Sequence, residues 1–298
     1  MDMNKNFFLK MTILASTALF SLSVYAQDVA DRCTRHTLKS GGLEREFWLY
    51  RPAGLPDGAP LIVALHGYGG SALKGKNGLM DKADAEGFAV CYPQGSTDSR
   101  GKSFWKVGYP FNDADKVDDV AFLRKLVRHL QREFGFSREN TFMTGMSNGG
   151  EMCYLMAQKA PDTFTAYASV AGLTIASMDR VYRKPVPFME IHGTADHTSE
   201  WNGDPVDKGG WGAYLAVPVS VSYIVAADGC RYAEEETLPV KRNVVTRYRF
   251  LGGEPAWKGG PECEVRLYKV DGGKHTWAEA DMDTFGEIWD FFSQYLRR

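Results

Sequence analysis

No stretch of this sequence is both long and apolar enough to cross a bilayer. About 20 consecutive apolar residues are needed, and the best candidate, residues 11–24, is shorter and diluted with Ser and Thr. The pattern therefore excludes a membrane anchor and fits an export signal instead. Lys5 and Lys10 precede the run, and Val24-Tyr25-Ala26 places small residues at the cleavage positions, so residues 1–26 are expected to be removed. No cysteine stands at that junction, which excludes a lipidated N-terminus. The expected destination is secreted or periplasmic.

An excess of positive charge is also missing. The chain carries 35 Lys and Arg against 37 Asp and Glu; without Lys5, Lys10 and Asp2 this becomes 33 against 36, a net charge of −3. Nucleic acid, which requires clustered basic surface, is not an expected partner. Repeats, low-complexity tracts and linkers are absent as well. Residues 27–298 read as a single domain around one large core.

An even number of cysteines is the third thing lacking. The five are Cys33, Cys91, Cys153, Cys230 and Cys263, all in the exported part, where disulfides persist, so at least one thiol stays unpaired. Cys153 falls in an apolar helical pattern and is expected to be a free core cysteine. Cys230 and Cys263 flank a glycine-rich irregular segment that a bridge would tie down, a gain of about 4 kcal/mol in the chain-entropy model.

What is present alternates between two periods. Residues 43–51 (LEREFWLYR) alternate polar and apolar at their start, as a half-exposed antiparallel strand does. The runs 61–65 (LIVAL), 88–92 (FAVCY), 141–144 and 188–191 are short and continuously apolar, as strands buried on both faces are. Between them, residues 120–134 place Leu123, Leu126, Val127, Leu130 and Phe134 on one helical face, with Asp118 or Asp119 as N-cap and Gly135 beyond the end. A last helix after Asp283 repeats the pattern with Phe285, Ile288, Trp289, Phe292 and Leu296. The expected fold class is α/β, a mostly parallel doubly wound sheet with helices on both faces.

Residues 144–150, TGMSNGG, sit where strand period gives way to helix period. A lone GxSxG is weak evidence, but a strand-to-helix turn is where a nucleophile elbow must lie. Gly145 and Gly149 would let strand and helix approach closely, and Ser147 would be held in a strained conformation with Oγ exposed. A serine hydroxyl needs a base to take its proton and an acid to orient that base. In α/β hydrolases these follow the nucleophile as acid, then histidine. Of six histidines, His36, His66 and His129 precede Ser147; His192 reads as a satisfied buried or turn residue, and His197 adjoins the acid too closely to face it. His275, in VDGGKHTW after the strand-like residues 264–270, is the expected base. Asp196, at the end of IHGTAD after a buried strand, is the expected acid. The denser cluster Asp113, Asp115, Asp118 and Asp119 reads as a helix cap plus a solvated loop. For the oxyanion, the Asn148 N–H follows from the elbow, and the loop of LIVALHGYGG supplies the second donor, assigned to Tyr68 with Gly67 as the alternative.

LHGYGG (65–70), YPQG (92–95), DDVAFL (118–123), TGMSNGG, HGTAD and GGKHTW together resemble the secreted α/β hydrolase esterase group of feruloyl esterases, acetyl xylan esterases and polyhydroxybutyrate depolymerase-like proteins. The resemblance runs in order from about residue 43 to the C-terminus. It implies an α/β hydrolase fold, ester hydrolysis without metal or cofactor, and a triad at Ser147, Asp196 and His275. It also favours the Cys230 to Cys263 bridge. Lys274, Ala278 and Glu279 depart from the group's pattern of glycine before the histidine and proline and glycine after Trp277. Residues 201–218, WNGDPVDKGGWGAYLAVP, resemble an insert of xylan-associated esterases. Trp201, Trp211, Tyr214, Trp277 and Tyr68 are candidates to line an aromatic cleft suited to a phenolic acyl group or a sugar ring. The expected substrate is a feruloyl or acetyl ester linked to polysaccharide. Rival readings are a polyhydroxyalkanoate depolymerase, for which no apolar adsorption segment is evident; a serine peptidase; and, from another class, a carbohydrate-binding pseudoenzyme.

Overall fold

The short apolar runs pair side by side. The computed structural model describes residues 31–72, 74 and 77–297, so the expected signal peptide lies outside the described residues. Ten strands form one sheet: β1 (Thr34–Ser40), β2 (Leu43–Tyr50), β3 (Leu61–Leu65), β4 (Ala89–Pro93), β7 (Thr141–Met146), β8 (Ala166–Val170), β9 (Phe188–Gly193), β10 (Tyr232–Thr237), β11 (Val245–Leu251) and β12 (Val265–Val270). Their spatial order is β1-β2-β4-β3-β7-β8-β9-β12-β11-β10. A small antiparallel hairpin, β5 (Ser96–Thr97) with β6 (Ser103–Phe104), stands apart. The six central strands from β4 to β12 are parallel, and antiparallel pairs flank them on both sides.

Period-2 alternation sends successive side chains of each central strand to opposite faces. Leu61, Val63 and Leu65 of β3 join one apolar layer, and Ile62 and Ala64 join the other. The first layer is closed by helices α2 (Asp119–Glu133), α3 (Asn148–Lys159) and α4 (Val217–Asp228), the second by α1 (Asn77–Glu86) and α5 (Thr284–Ser293). Helix α2 begins as the sequence implies: Asp118 caps it by accepting from the Ala121 N–H at 2.8 Å. Asp283 does the same for α5 through the Gly286 N–H at 3.1 Å.

Two readings need correction. Asp119 is not part of a solvated loop: it is 1% exposed, and its carboxylate takes Arg45 at 2.7 Å and the Lys106 N–H at 2.8 Å. Arg45 is itself held over the Phe122 ring at 3.9 Å, so this is a buried ion pair joining β2 to α2. The expected bridge between Cys230 and Cys263 is not formed, and all five cysteines are free thiols. The glycine-rich segment is tied down by backbone hydrogen bonds instead: Glu254 N to Asp228 O at 2.7 Å, Cys263 N to Glu254 O at 3.0 Å and Arg231 N to Leu251 O at 2.8 Å. Burial raises the Cys230 thiol to about 11 and pushes Cys263 higher still, so neither is readily a thiolate.

Candidate active site

The register brings four loops to one edge of the sheet. Leu65 pairs with Gly145, Gly145 with Ser169, Val170 with Ile191, and Gly193 with Val270. The carboxyl ends of β3, β7, β9 and β12 are therefore level, and the segments carrying Gly67, Ser147, Asp196 and His275 leave from that edge. This is where ligands collect on an open α/β sheet.

Ser147 is the single residue between β7 and α3, with φ 57° and ψ −124°. That left-handed conformation is costly for a residue with a Cβ and is held by its surroundings: Ser147 N donates to Val170 O and Glu151 N to Ser147 O, both at 2.8 Å. The glycines around it are required by contact. A Cβ on Gly145 would fall 2.4 Å from Gly149 O, and one on Gly149 would fall 2.8 Å from both Leu65 O and His66 O.

His275 Nδ1 lies 2.7 Å from Asp196 Oδ2. A carboxylate only accepts, so Nδ1 carries the hydrogen and Nε2 is left with the lone pair a base needs. The other Asp196 oxygen accepts the N–H groups of Thr198 and Ser199 at 2.8 Å each. Burial opposes the charge on Asp196, but the bonds from His275 and the Ser199 N–H outweigh it and hold the carboxyl below its ordinary range. Asp196 thus stays ionised against the His275 ring.

The loop after β3 lies directly against Ser147: a Cβ on Gly67 would be 3.2 Å from Ser147 Cβ. Several residues that the sequence reading passed over fix that loop. His66 is 3% exposed; its Nε2 accepts from Gly95 N at 2.9 Å, so Nδ1 donates to Gly67 O at 2.7 Å. Trp105, fully buried, donates from Nε1 to His66 O at 2.9 Å and exchanges two hydrogen bonds with the Asn148 side chain, at 2.7 and 2.9 Å. Trp105 therefore ties the loop after β3 to the first residue of α3, through its indole on one side and its backbone N–H and carbonyl on the other. The Asn148 side chain is thus committed to Trp105, and its backbone N–H stands at the start of α3, the end of a helix that attracts anions. Tyr68 is anchored through its hydroxyl, which donates to Asp98 Oδ2 at 2.7 Å.

The expected tryptophans separate. Trp211 joins Tyr68, Tyr109 and Phe111, with ring centroids 5.3, 5.4 and 5.8 Å away. Trp277, two residues after His275, packs tilted against Phe285 with centroids 5.5 Å apart and lines a cavity of ≈390 Å³ together with Met146, Asn243, Lys274 and Thr276. Trp201 lies instead beside His192, below Asp196, at 6.1 Å. The structure brings Ser147, Asp196, His275 and the Tyr68 loop to one edge, with Trp211 on the Tyr68 side and Trp277 on the His275 side.

Residues 80–204, from α1 past Asp196, match the model of the prolyl oligopeptidase family, peptidase S9. An acetyl xylan esterase structure from Aspergillus awamori superposes with a TM-score of 0.55, covering 88% of this chain and 99% of that one at 14% identity. The chain has the α/β hydrolase fold. Among sequence relatives, a putative esterase of Nocardia uniformis subsp. tsuyamanensis is 29% identical over 85% of the chain and 77% of that protein. A bifunctional acetylxylan esterase/xylanase of Neocallimastix patriciarum is 24% identical over 85% of the chain. The chain spans only 34% of that larger protein's length.

Proposed function

We propose that this protein is an exported serine carboxylic ester hydrolase whose mature domain, residues 27–298, removes acetyl or feruloyl groups from xylan. The observation that carries the reading is the alignment at one sheet edge of a strained Ser147, the 2.7 Å His275 to Asp196 pair, and a glycine loop pressed against the serine. In this reading Ser147 Oγ attacks the ester carbonyl as His275 Nε2 takes its proton. The N–H groups of Asn148 and Tyr68 receive the oxyanion, the protonated His275 gives its proton to the departing alcohol, and water activated by the same imidazole releases the acid.

The substrate follows from the two sides of the site. The leaving oxygen must meet His275, so the alcohol lies on the histidine side, where Trp277 offers a flat face and Asn243, Lys274 and Thr276 offer polar atoms for a sugar. The acyl group is left with the Tyr68, Phe111 and Trp211 side, which suits a phenolic ring. The acetylxylan esterase and esterase relatives support the ester class. The test is a hydrolysis panel of methyl ferulate, acetylated xylan, polyhydroxybutyrate and a peptide amide. Release of acetate or ferulate is expected; hydroxybutyrate alone, or amide cleavage alone, would replace the reading.

A further inference from the structure

Beneath the acid lies a buried polar pair that ester hydrolysis, as written above, leaves unused. His192, on β9 and 1% exposed, has Nδ1 3.0 Å from Glu190 Oε1 and Nε2 2.8 Å from Ser199 O. The same Nε2 is 3.6 Å from Asp196 Oδ2. Glu190 is fully buried, and its remaining contacts are the Gly172 N–H at 3.2 Å and the Tyr154 hydroxyl at 3.1 Å. Among the described residues no Lys or Arg pairs with it.

The Ser199 carbonyl can only accept, so Nε2 carries a hydrogen. The Nδ1 to Oε1 contact then holds one further proton, which makes the pair either imidazole with carboxylic acid or imidazolium with carboxylate. Both forms are net neutral, as burial demands. The Asp196 anion 3.6 Å from Nε2 favours the imidazolium form. Burial alone would lower His192, yet the bond to Glu190 outweighs it and the ring is raised; burial raises the Glu190 carboxyl too, so it is the Asp196 anion that decides between the two forms.

Ser199 connects the pair to the site. Its carbonyl takes His192, and its N–H, with that of Thr198, holds Asp196 Oδ1. We propose that His192 is a positioning residue for the catalytic acid: it fixes the turn from Asp196 to Ser199 so that Oδ2 meets His275, while Glu190 holds the ring and its proton. The proposal rests on the Ser147, Asp196 and His275 reading. The groups facing the pair are Glu151, Cys153 and Tyr154 from α3, Ser169 from β8 and Trp201 from the loop after Asp196, while Tyr214 and His275 face Asp196 itself. Lys269, the register partner of His192 on β12, is engaged by Asp271 at 2.9 Å. Only the two histidines therefore bring positive charge to Asp196.

Three variants separate the parts. His192→Gln keeps a donor at the Nε2 position, His192→Asn keeps only one at the Nδ1 position, and Glu190→Gln removes the carboxylate. Each is assayed on an aryl ester, with active sites counted by stoichiometric reaction with an organophosphonate, so that lost folding is divided out. Per active site, His192→Asn is expected to lose about 10- to 100-fold in kcat with KM nearly unchanged, and His192→Gln to stay within about fivefold. Glu190→Gln is expected to move the acidic limb of kcat/KM upward by about half a pH unit, because the neutralised His192 no longer disfavours the charged form of His275. Wild-type kcat per site in His192→Asn, or an unmoved limb in Glu190→Gln, would overturn the proposal. Should His192→Asn yield no folded protein, an unmoved limb in both His192→Gln and Glu190→Gln would overturn it equally. A wild-type protein that neither turns over the ester nor takes the phosphonate would instead refute the serine esterase reading itself.

Discussion

Replacing Gly67 with alanine should damage the chemistry without unfolding the protein, and the expected size follows from distances. The added Cβ would stand 3.2 Å from Ser147 Cβ, 3.4 Å from Met146 O and 3.7 Å from Ser147 Oγ. Carbon atoms pack best at about 3.5 to 4.0 Å, so loop and elbow must separate by about 0.3 to 0.8 Å. Backbone φ at Gly67 is not in the left-handed region, so alanine adds no conformational strain of its own. A catalytic constellation tolerates displacements of about 0.5 Å, and complete loss of one oxyanion donor costs about 10²- to 10³-fold in rate. Gly67→Ala moves the loop to that limit without removing a donor. The expected result is a fall in kcat of about 10- to 100-fold on p-nitrophenyl acetate, with KM within about threefold. Destabilisation of about 1 kcal/mol would lower Tm by about 2 to 4 °C. Steady-state kinetics normalised to titrated active sites, with a thermal melt alongside, measure both. Unchanged kcat in a folded Gly67→Ala protein would refute the placement of this loop as the oxyanion donor.

Three further outcomes are expected. Asp228 is fully buried, Oδ1 accepts only the Val186 N–H at 2.9 Å, Oδ2 is unpartnered, and burial raises the carboxyl to about 8. The folded protein therefore keeps its proton where the unfolded chain releases it, and stability falls as pH rises from about 4 to about 8, by about 4 kcal/mol at pH 7. Asp228→Asn should remove that slope in urea melts run at pH 5 and pH 8; parallel slopes for both proteins would contradict it. Arg45→Met leaves Asp119 as an unpaired buried charge and should cost about 3 to 5 kcal/mol in denaturant unfolding, while a loss below about 1 kcal/mol would show the pair to be inert. Trp211→Ala opens the aromatic side of the site and should raise KM for methyl ferulate about tenfold while leaving p-nitrophenyl acetate unchanged, a contrast of about 1.4 kcal/mol; equal effects on both esters would remove Trp211 from acyl recognition.

The elements legible in the sequence were those whose burial pattern is unambiguous. LIVAL and FAVCY are buried on both faces, and α2 shows its apolar stripe and its cap in the letters themselves. The elements missed contradict their own local preferences. Helix α4, VPVSVSYIVAAD, is rich in β-branched residues that favour strands; it is helical because Pro218 starts it, Gly229 at φ 68° ends it, and Val217, Val221 and Ile224 bury one face against the sheet. Strand β10, YAEEET, is exposed throughout and carries no alternation. It is held by pairing with β11 and by ion pairs from Glu234 to Arg249 and from Glu236 to Arg247, charges that also protect an edge strand from further pairing.

The triad candidates were legible because order along the chain is restricted by topology. What supports them was not. Trp105 reaches His66 and Asn148 across 39 and 43 residues, and Arg45 reaches Asp119 across 74. Such contacts are set by the fold and leave no spacing to read. The cysteines show the converse error: a glycine-rich flank suggested a bridge, but backbone hydrogen bonds already tie that segment down.

The central claim is that Ser147 is the nucleophile of an ester hydrolase. It is tested most directly by reaction with an organophosphonate, followed by peptide mass spectrometry and by turnover of Ser147→Ala on an aryl ester. The account predicts one adduct per chain, located on Ser147, and a kcat about 10⁴- to 10⁶-fold lower in the variant. An adduct on another residue, or a Ser147→Ala protein that turns over at near the wild-type rate, would contradict it.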